Sequence, residues 1–542
     1  MSNFSYDFVG KKVLVMGLGR FGGGVDVATF VAEKGANVIV TDLASTNQLE
    51  SSINELRDFS NIEFHLGCHD ESDFKNADIV IANPAVPGDN KYLKISRNAG
   101  KLVTSQINIF FELCPAKIIG ITGANGKSTT TSLTAHLLRT QNTEYRIQNT
   151  ENHPQASLEA ATLDTSHESR ATSNNYVIAS LPPRSEAKSP GWHAPQSQFT
   201  QDAERTTHYE HVWLSGNIGN QPLLTILNKI NPDDLVVLEL SSFQIEQLAE
   251  FQQAPDIALL TNLTPNHLDR YSTFEKYCDA KENIFKYQKL DENNPAISIF
   301  NAEDEIANQW NEKYKNDKGR NCVKFSADDV PEDIRNYYKL PGRANLSNLA
   351  AALTIAKIFN IDDESIKKSL TEFKALPHRL ELVDEINGVK WYNDSKATTP
   401  EGAIIALDAF DEPIILIAGG YDKNLPFDKL AEKIVEKTKA VILIGQTAPK
   451  ISDAIPKANI LLSRVAATEQ SEVDGPSTSL HSVAATRLEC VNSLHDAVKK
   501  ANNLAKPGDV ILFSPACASY DMFENYEQRG MEFIKLVKSL KK

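Results

Sequence analysis

Residues 116–131, Ala-Lys-Ile-Ile-Gly-Ile-Thr-Gly-Ala-Asn-Gly-Lys-Ser-Thr-Thr-Thr, run from an apolar strand into a glycine-bracketed Lys-Ser pair and then into a helix start. Gly123 and Gly126, with Ala124 and Asn125 between them, let backbone N–H groups turn toward an anion. Lys127 can reach the β- and γ-phosphates of a nucleotide, and Ser128 can put its hydroxyl on a magnesium ion, with Thr129 following in the helix start. The Gly-x-x-Gly-Lys-Ser spacing is shorter than the general P-loop pattern. The strand before it and the Ser/Thr-rich helix after it supply the context that a chance glycine turn lacks, and together they imply use of ATP.

Three further polar stretches each end an apolar strand: Ser215-Gly-Asn-Ile-Gly219, Glu239-Leu-Ser-Ser-Phe-Gln244 and Asn262-Leu-Thr-Pro-Asn-His-Leu-Asp-Arg-Tyr271. In a parallel sheet, ligands gather at the carboxyl ends of the strands, so these groups converge on one rim. The Glu239 carboxylate and the His267 imidazole then stand where a magnesium nucleotide would sit, and join Ser128 as candidate metal ligands. Taken singly, they also read as a strand-end acid and a helix-capping neighbour. Near the N-terminus, Gly17-Leu-Gly19-Arg20-Phe-Gly22 is a Gly-x-Gly-x-x-Gly turn, with Asp42 twenty residues after Gly22. Alone it suggests a dinucleotide, although the same turn serves any ligand whose phosphate sits at a helix N-terminus.

The elements that must position these groups alternate as strand and helix. Strands are expected at Lys12–Met16, Asn37–Thr41, Asp78–Ala82 and Lys101–Thr104, with a helix over Val25–Lys34, forming a small open sheet that ends near Pro115. A second α/β unit starts with the strand Lys117–Thr122 and continues through Leu235–Leu240 and Ile257–Leu260. A third starts near Pro377, with strands at Pro413–Ala418, Ala440–Ile444 and Asp509–Phe513. Three α/β domains fit 542 residues, with boundaries at 1–115, 116–375 and 376–542. Two stretches break the pattern. Thr140 to about Glu210 is rich in Ser, Thr, Asn, Gln and Pro without a sustained period and is expected to be an inserted, largely disordered segment; about Arg464 to Arg487 is similar. His153, His167, His193 and His208 fall in the first, at spacings that match no metal site.

Composition narrows the class. Hydrophobic content of 41% is that of an ordinary globular chain, and no run of about 18 apolar residues occurs, so no membrane span is expected. No secretory signal is visible in the first residues, which makes the expected location cytoplasmic. Six scattered cysteines without a Cys-x-x-Cys pair argue against a disulfide scaffold and a structural zinc site. A formal charge of -15 repels nucleic acid, so phosphate ligands must be held by local donors and metal ions.

With the Gly123–Thr129 cradle, Gly216-Asn-Ile-Gly219, Glu239–Gln244, His267-Leu-Asp-Arg270, Pro377-His-Arg379, Asn393-Asp-Ser-Lys-Ala-Thr398 and Ser514-Pro-Ala-Cys-Ala-Ser519 on one chain, the sequence resembles the Mur ligase family along nearly its whole length outside the two inserts. The resemblance implies an N-terminal Rossmann-like domain for UDP, a central P-loop ATPase with a mainly parallel sheet and a C-terminal Rossmann-like domain. It turns the first glycine fingerprint into a UDP site. It further implies peptidoglycan precursor synthesis, with ATP-driven amide formation through an acyl phosphate. The implied small-molecule substrates are UDP-N-acetylmuramoyl-L-alanine and D-glutamate, acted on by a monomer.

By the same resemblance, Lys127, two magnesium ions, Arg379 and Lys396 supply the cations, while Ser128, Glu239 and His267 hold metal. Lys281 aligns with a lysine that the family carbamylates to bridge to the second magnesium; on residue type alone it reads as a surface helix lysine. Asn345 and Asn348 are implied near the adenine, and Asp394 and Arg379 near the ribose and phosphates, although Arg343-Ala-Asn345 departs from the His-Asn common in the family. Gly17, Gly19, Arg20, Gly22 and Asp42 would face the uridine diphosphate, with Phe21 in place of a small hydroxylic residue. Asn217, Gln244 and His267 would face the muramoyl group. D-glutamate would fall to Lys396, Thr398, Lys423, Ser519 and Tyr526, since two lysines and two hydroxyls suit two carboxylates. Thr399 stands where asparagine is frequent. Cys517 reads as a small packed thiol. A sister ligase or folate polyglutamate ligase, an NAD-dependent dehydrogenase built on the first glycine turn, and a non-catalytic nucleotide-binding protein are the rival readings.

Overall fold

A computed structural model of the chain describes residues 6–19, 22–152, 209–218, 222–458 and 486–541. Arg20, Phe21, Gly219, the four histidines of the first insert and most of both inserts lie outside the described residues.

The chain is a three-domain α/β protein. Strands β1 (Lys12–Met16), β2 (Asn37–Asp42), β3 (Ile62–Leu66), β4 (Ile79–Ala82) and β5 (Leu102–Thr104) form a parallel sheet in the order β3-β2-β1-β4-β5. The second sheet holds β6 (Lys117–Thr122), β7 (Val212–Gly216), β8 (Leu235–Glu239), β9 (Ile257–Leu260), β10 (Ala296–Asn301) and β11 (Arg320–Phe325). It is also parallel, in the order β11-β10-β9-β6-β8-β7. The third comprises β12 (Glu381–Ile386), β13 (Val389–Asn393), β14 (Ile414–Ala418), β15 (Thr438–Leu443), β16 (Arg487–Cys490) and β17 (Val510–Phe513), ordered β12-β13-β17-β14-β15-β16. It is mixed, because β12 pairs antiparallel to β13.

The central strands are those that apolar runs mark. Ile118, Ile119 and Ile121 of β6 are buried between β8 and β9, and each such side chain contributes about 1.5–3 kcal/mol relative to exposure. The strands absent from the sequence reading are mostly outer ones or close to the sheet margin. Five of them, β3, β11, β12, β13 and β16, carry charged residues, and all but β13 lie at a sheet edge, where charges are common.

Two stretches differ from expectation. The helix that begins at Lys127 runs to Asn152, so the start of the presumed first insert is helical. Its Ser/Thr/Gln-rich composition hid the continuation because few apolar residues mark a face. At the second insert, Arg487 opens β16 and belongs to the sheet.

Met1–Tyr337 with Ala350–Leu370 form one compact unit, and Tyr338–Leu349 with Thr371–Lys542 a second. Within the first, one apolar core runs through both sheets, from Val13, Val40 and Phe110 to Ile118, Leu224, Val236 and Leu248. A polar rivet joins the same two sheets. Asp26, on the helix Gly23–Glu33, accepts from Leu223, Leu224 and Thr225 N–H, Thr225 Oγ1 and Gln106 Nε2, at 2.7–3.0 Å. Five donors on one buried carboxylate repay its desolvation.

Candidate functional site

The cradle stands at the carboxyl end of β6, the strand flanked on one side by β8 and on the other by β9, where the order of the sheet reverses. Gly123 has φ 151°, and a Cβ there would meet Thr261 Oγ1 at 1.9 Å, so only glycine fits. The loop is pinned from β9's end: Ala124 N–H donates to Asn262 O at 2.8 Å, Asn125 N–H to Asn262 Oδ1 at 2.9 Å, and Thr261 Oγ1 to Asn125 O at 2.6 Å. Gly126 has φ 80°, and its carbonyl accepts the first helical bond, from Thr130. The N–H groups of the first helical turn then have no intrahelical acceptor, which gives an anion site. Ser128 and Thr129 are buried there. Lys127 Nζ folds back on the Gly123 and Ala124 carbonyls at 3.0 and 2.8 Å, poised over the loop that it would leave for a phosphate.

Glu239 ends β8 and is 2% exposed. Its Oε1 accepts from Asn217 Nδ2 at 3.2 Å, whereas Oε2 is buried without a hydrogen-bond partner. An orphaned carboxylate oxygen is costly in a protein interior and suits a hard cation, so Glu239 and the Ser128 hydroxyl fit magnesium. Lys281 is 1% exposed, which corrects the surface-lysine alternative. It lies on the helix Phe274–Lys286, and its Nζ donates to Thr122 Oγ1 at 3.0 Å. Burial pushes its pKa well below the usual lysine value; Lys127 pushes the same way and Glu239 opposes.

His267 occupies the N-cap of the short helix Leu268–Tyr271 at φ 53°, but its side chain makes no capping bond. Its ring lies 5.0 Å from that of Phe243, and this desolvation lowers its pKa, with Lys127, Lys281 and Arg270 adding to the effect and Asp269 opposing it. Among residues far apart in sequence, Lys281 is thus within electrostatic reach of Lys127, Glu239 and His267, and His267 of Lys127. Arg270 holds this turn. Its guanidinium donates to the Pro84 and Ala85 carbonyls, pairs with Glu246 at 3.1 Å and lies 4.1 Å over Phe243.

At the first glycine turn, Gly17, Gly19 and Gly22 all have positive φ. Asp42 Oδ2 accepts from Leu18 and Gly19 N–H at 2.9 and 3.2 Å, so the carboxylate expected to face uridine also orders the turn. Gln244 is similarly engaged: its Oε1 accepts from Ser241 N–H and Oγ in a capping box, leaving the amide NH2 for a ligand. Asn217 is exposed beside Glu239.

The second unit assembles its own motifs. His378 N–H donates to Glu381 Oε2, Asn393 Nδ2 meets His378 Nδ1 at 2.9 Å, and Lys396 N–H donates to the His378 carbonyl at 3.0 Å. Asp394 is buried, accepts from Ser514 Oγ at 2.7 Å and Leu380 N–H at 3.2 Å, and has its pKa raised to about 7 by desolvation. The Nε of Arg379 is buried without a partner. Asn345 and Asn348 sit one helical turn apart, with Asn345 Nδ2 on the Pro341 carbonyl and Asn348 Nδ2 on Asn345 Oδ1. Lys396 Nζ lies 5.6 Å over the Tyr526 ring, Ser519 is buried, Lys423 exposed and Thr398 half-buried. Thr399 caps the helix Pro400–Leu407, which explains a hydroxyl at that position. Cys517 is a packed thiol, 3.1 Å from Thr447 Oγ1, with its pKa pushed up to about 11 by burial. The sequence reading missed Asp26, Arg270 and Arg529. The signal for Asp26 was an acid inside an otherwise apolar helix.

Three family models match the chain: the Mur ligase MurD-like N-terminal domain over residues 11–105, the Mur ligase middle domain over 216–338 and the Mur ligase glutamate ligase domain over 378–517. Its relatives include UDP-N-acetylmuramoylalanine--D-glutamate ligases. That of Roseiflexus sp. (strain RS-1) is 34% identical, covering 98% of this chain and 99% of the relative. That of Acetivibrio thermocellus is 32% identical, covering 100% and 99%. Among solved structures, MurF from Acinetobacter baumannii aligns with 98% of this chain and 92% of its own at 12% identity and a TM-score of 0.48.

Proposed function

We propose, from the premise that this chain belongs to the Mur ligase family, that it is an ATP-dependent ligase joining D-glutamate to UDP-N-acetylmuramoyl-L-alanine in peptidoglycan precursor synthesis. The observation that carries the reading is the gathering of Lys127, Glu239, His267 and Lys281 at the carboxyl rim of the second sheet. The domains would follow the limits 1–115, 116–375 and 376–542. The enzyme would work in the cytoplasm as a monomer; among the described residues no helix is long and apolar enough to cross a membrane.

The reaction begins when a carboxylate oxygen of the muramoyl-alanine substrate attacks the γ-phosphorus of ATP. The bond from that phosphorus to the β,γ-bridging oxygen breaks, and ADP leaves. The amine of D-glutamate then attacks the acyl carbon, the C–N bond forms, phosphate departs with the former carboxylate oxygen, and the amine loses a proton. Anions crowd together in both steps, so fixed positive charge and N–H donors lower the barrier. Lys127 leaves the Gly123 and Ala124 carbonyls for the phosphates, and the N–H groups of its helix start bind the same oxygens.

Ser128, Glu239, His267 and Lys281 would hold magnesium, which when bound neutralises phosphate charge and orients the γ-phosphoryl group. A lysine ammonium would repel a cation. Burial holds the Lys281 pKa well below the usual lysine value, and its amine in the neutral form would add to carbon dioxide: an N–C bond forms, a proton is lost to solvent, and the resulting carbamate would be a hard oxygen ligand. Asn217 and Gln244 would bind the muramoyl group, and the turn of Gly17, Gly19, Arg20 and Gly22 with Asp42 the uridine diphosphate. In the second unit, Asn345 and Asn348 would contact adenine, and Asp394 and Arg379 the ribose and phosphates. Lys396, Thr398, Lys423, Ser519 and Tyr526 would take D-glutamate.

Phosphate release by the purified protein with ATP and UDP-N-acetylmuramoyl-L-alanine tests the proposal. Release is expected with D-glutamate and not with L-glutamate, L-alanine, L-lysine or diaminopimelate. Preference for any of the others would assign the chain to a sister activity.

A further inference from the structure

The residues read as the D-glutamate subsite come from several separate stretches, and a single side chain ties those stretches together. Arg529, on the helix Tyr526–Ser539, is 0% exposed. Its Nε donates to Ser395 Oγ at 3.0 Å and its Nη2 to the Ser395 carbonyl at 2.7 Å. Its Nη1 donates to the Cys517 and Ala518 carbonyls at 3.0 and 3.1 Å. Ser395 immediately precedes Lys396, and Ala518 immediately precedes Ser519.

The same knot reaches the remaining positions. Ser395 Oγ donates to the Tyr526 carbonyl at 2.9 Å, fixing the start of the helix that carries Arg529. The Ala518 carbonyl also accepts from Tyr421 N–H at 2.9 Å, two residues before Lys423. At Gly420, a Cβ would meet the Ala518 carbonyl at 2.4 Å and Arg529 Nη1 at 3.2 Å, so only glycine lets this loop close on the guanidinium.

The acceptors of Arg529 are neutral oxygens: one hydroxyl and three carbonyls. Burial lowers its pKa to about 10, so it remains a cation at neutral pH, and Asp521 and Asp394 attract it only at longer range. A buried charge without an adjacent counter-charge is expensive unless its donors are satisfied, and the planar fork of arginine satisfies them where a lysine could not. The fork ties the loops together through neutral acceptors, and a subsite for a dicarboxylate gains from it both the fixed loops and the positive field.

We infer that Arg529 is a positioning residue of the amino-acid subsite, holding the loops of Lys396, Lys423 and Ser519 and the Tyr526 helix end in register for a substrate with two carboxylates. The inference rests on the reading of this subsite as one for D-glutamate.

The test is the Michaelis constant for each substrate of the full-length enzyme, measured where circular dichroism shows the variant folded. Arg529→Lys keeps the charge and loses the fork. It is expected to raise KM for D-glutamate at least about tenfold while KM for ATP moves by less than about threefold. Ser395→Ala removes one acceptor and the Tyr526 anchor; a smaller rise in the same direction is expected, and this variant carries the test if Arg529→Lys does not fold. Lys423→Ala and Ser519→Ala are run alongside. If these two raise KM for D-glutamate while Arg529→Lys and Ser395→Ala leave it unchanged, or raise both constants equally, the positioning role is overturned and the D-glutamate reading stands. If none of the four shifts that constant, the subsite reading itself fails.

Discussion

Lys281 Nζ lies 3.0 Å from Thr122 Oγ1, whose own proton is committed to the Leu240 carbonyl at 2.7 Å. Thr122 is therefore an acceptor toward Lys281, and aims a buried amine from the cradle strand. Lys281→Ala should lose most activity, and millimolar short carboxylates should partly restore it by supplying the oxygen that the carbamate would give. A steady-state assay with and without acetate or formate checks this. An unimpaired variant would refute the carbamate.

Lys127, Glu239 and His267 are each assigned to charge that develops on the phosphoryl group. Alanine at any one should reduce turnover at least about a hundredfold, the loss expected when a fixed electrostatic partner is removed. Thermal melts should show the fold retained. Near-normal turnover of Lys127→Ala would remove the phosphate cradle from the account.

Asp394 gives a pH signature. Its folded pKa is raised to about 7, mainly by desolvation, against about 3.9 for an unfolded aspartate. The folded state therefore binds this proton more tightly than the unfolded state. Its contribution to stability is fully present below about pH 4 and is lost as pH rises toward about 7, with a ceiling of about 4 kcal/mol. Asp394→Asn cannot titrate, so the melting temperature of the variant relative to the parent should climb across that window. A difference that stays flat from pH 4 to 7 would contradict the assignment.

Tyr209 and Arg139 bear on the first insert. The helix Lys127–Asn152 carries the chain away from the cradle by about 1.5 Å per residue. Where the described chain resumes, the Tyr209 hydroxyl donates to the Leu138 carbonyl at 2.6 Å, and Arg139 donates to the Val212 carbonyl. Exit and return are thus neighbours on the helix beyond the cradle, and a short linker can close the gap. Replacing residues 142–205 with a Gly/Ser linker should leave the turnover number within about threefold, since the flanking contacts of Tyr209 with Leu138 and of Arg139 with Val212 are kept. Collapse of activity in a soluble, folded deletion variant would show that the segment reaches the site.

The legible parts of this chain were those in which local sequence and tertiary position agree. The apolar runs of β6 and β9 were read to the residue, because both lie in the middle of a sheet. The cradle was legible because glycine spacing and a strand-to-helix switch are local. The edge strands β3 and β16 were not, since charged residues break the apolar runs that mark a buried strand. Lys281 could be placed only by resemblance: burial is decided by what covers a helix, not by the helix itself. Arg529 left a trace that was not used. It falls in phase with buried Phe533 and Val537, four and eight residues on, and an arginine inside an apolar stripe signals a buried polar contact.

The most direct test of the central claim follows one oxygen atom. UDP-N-acetylmuramoyl-L-alanine labelled with oxygen-18 in the alanine carboxylate is turned over with ATP and D-glutamate, and the released phosphate is analysed by mass spectrometry. An acyl phosphate transfers one labelled oxygen to phosphate in each turnover, and none when D-glutamate and substrate are consumed by a route that never phosphorylates the carboxylate. Phosphate carrying one label, formed only when D-glutamate is present, is the predicted result. Unlabelled phosphate accompanying amide product would contradict the account.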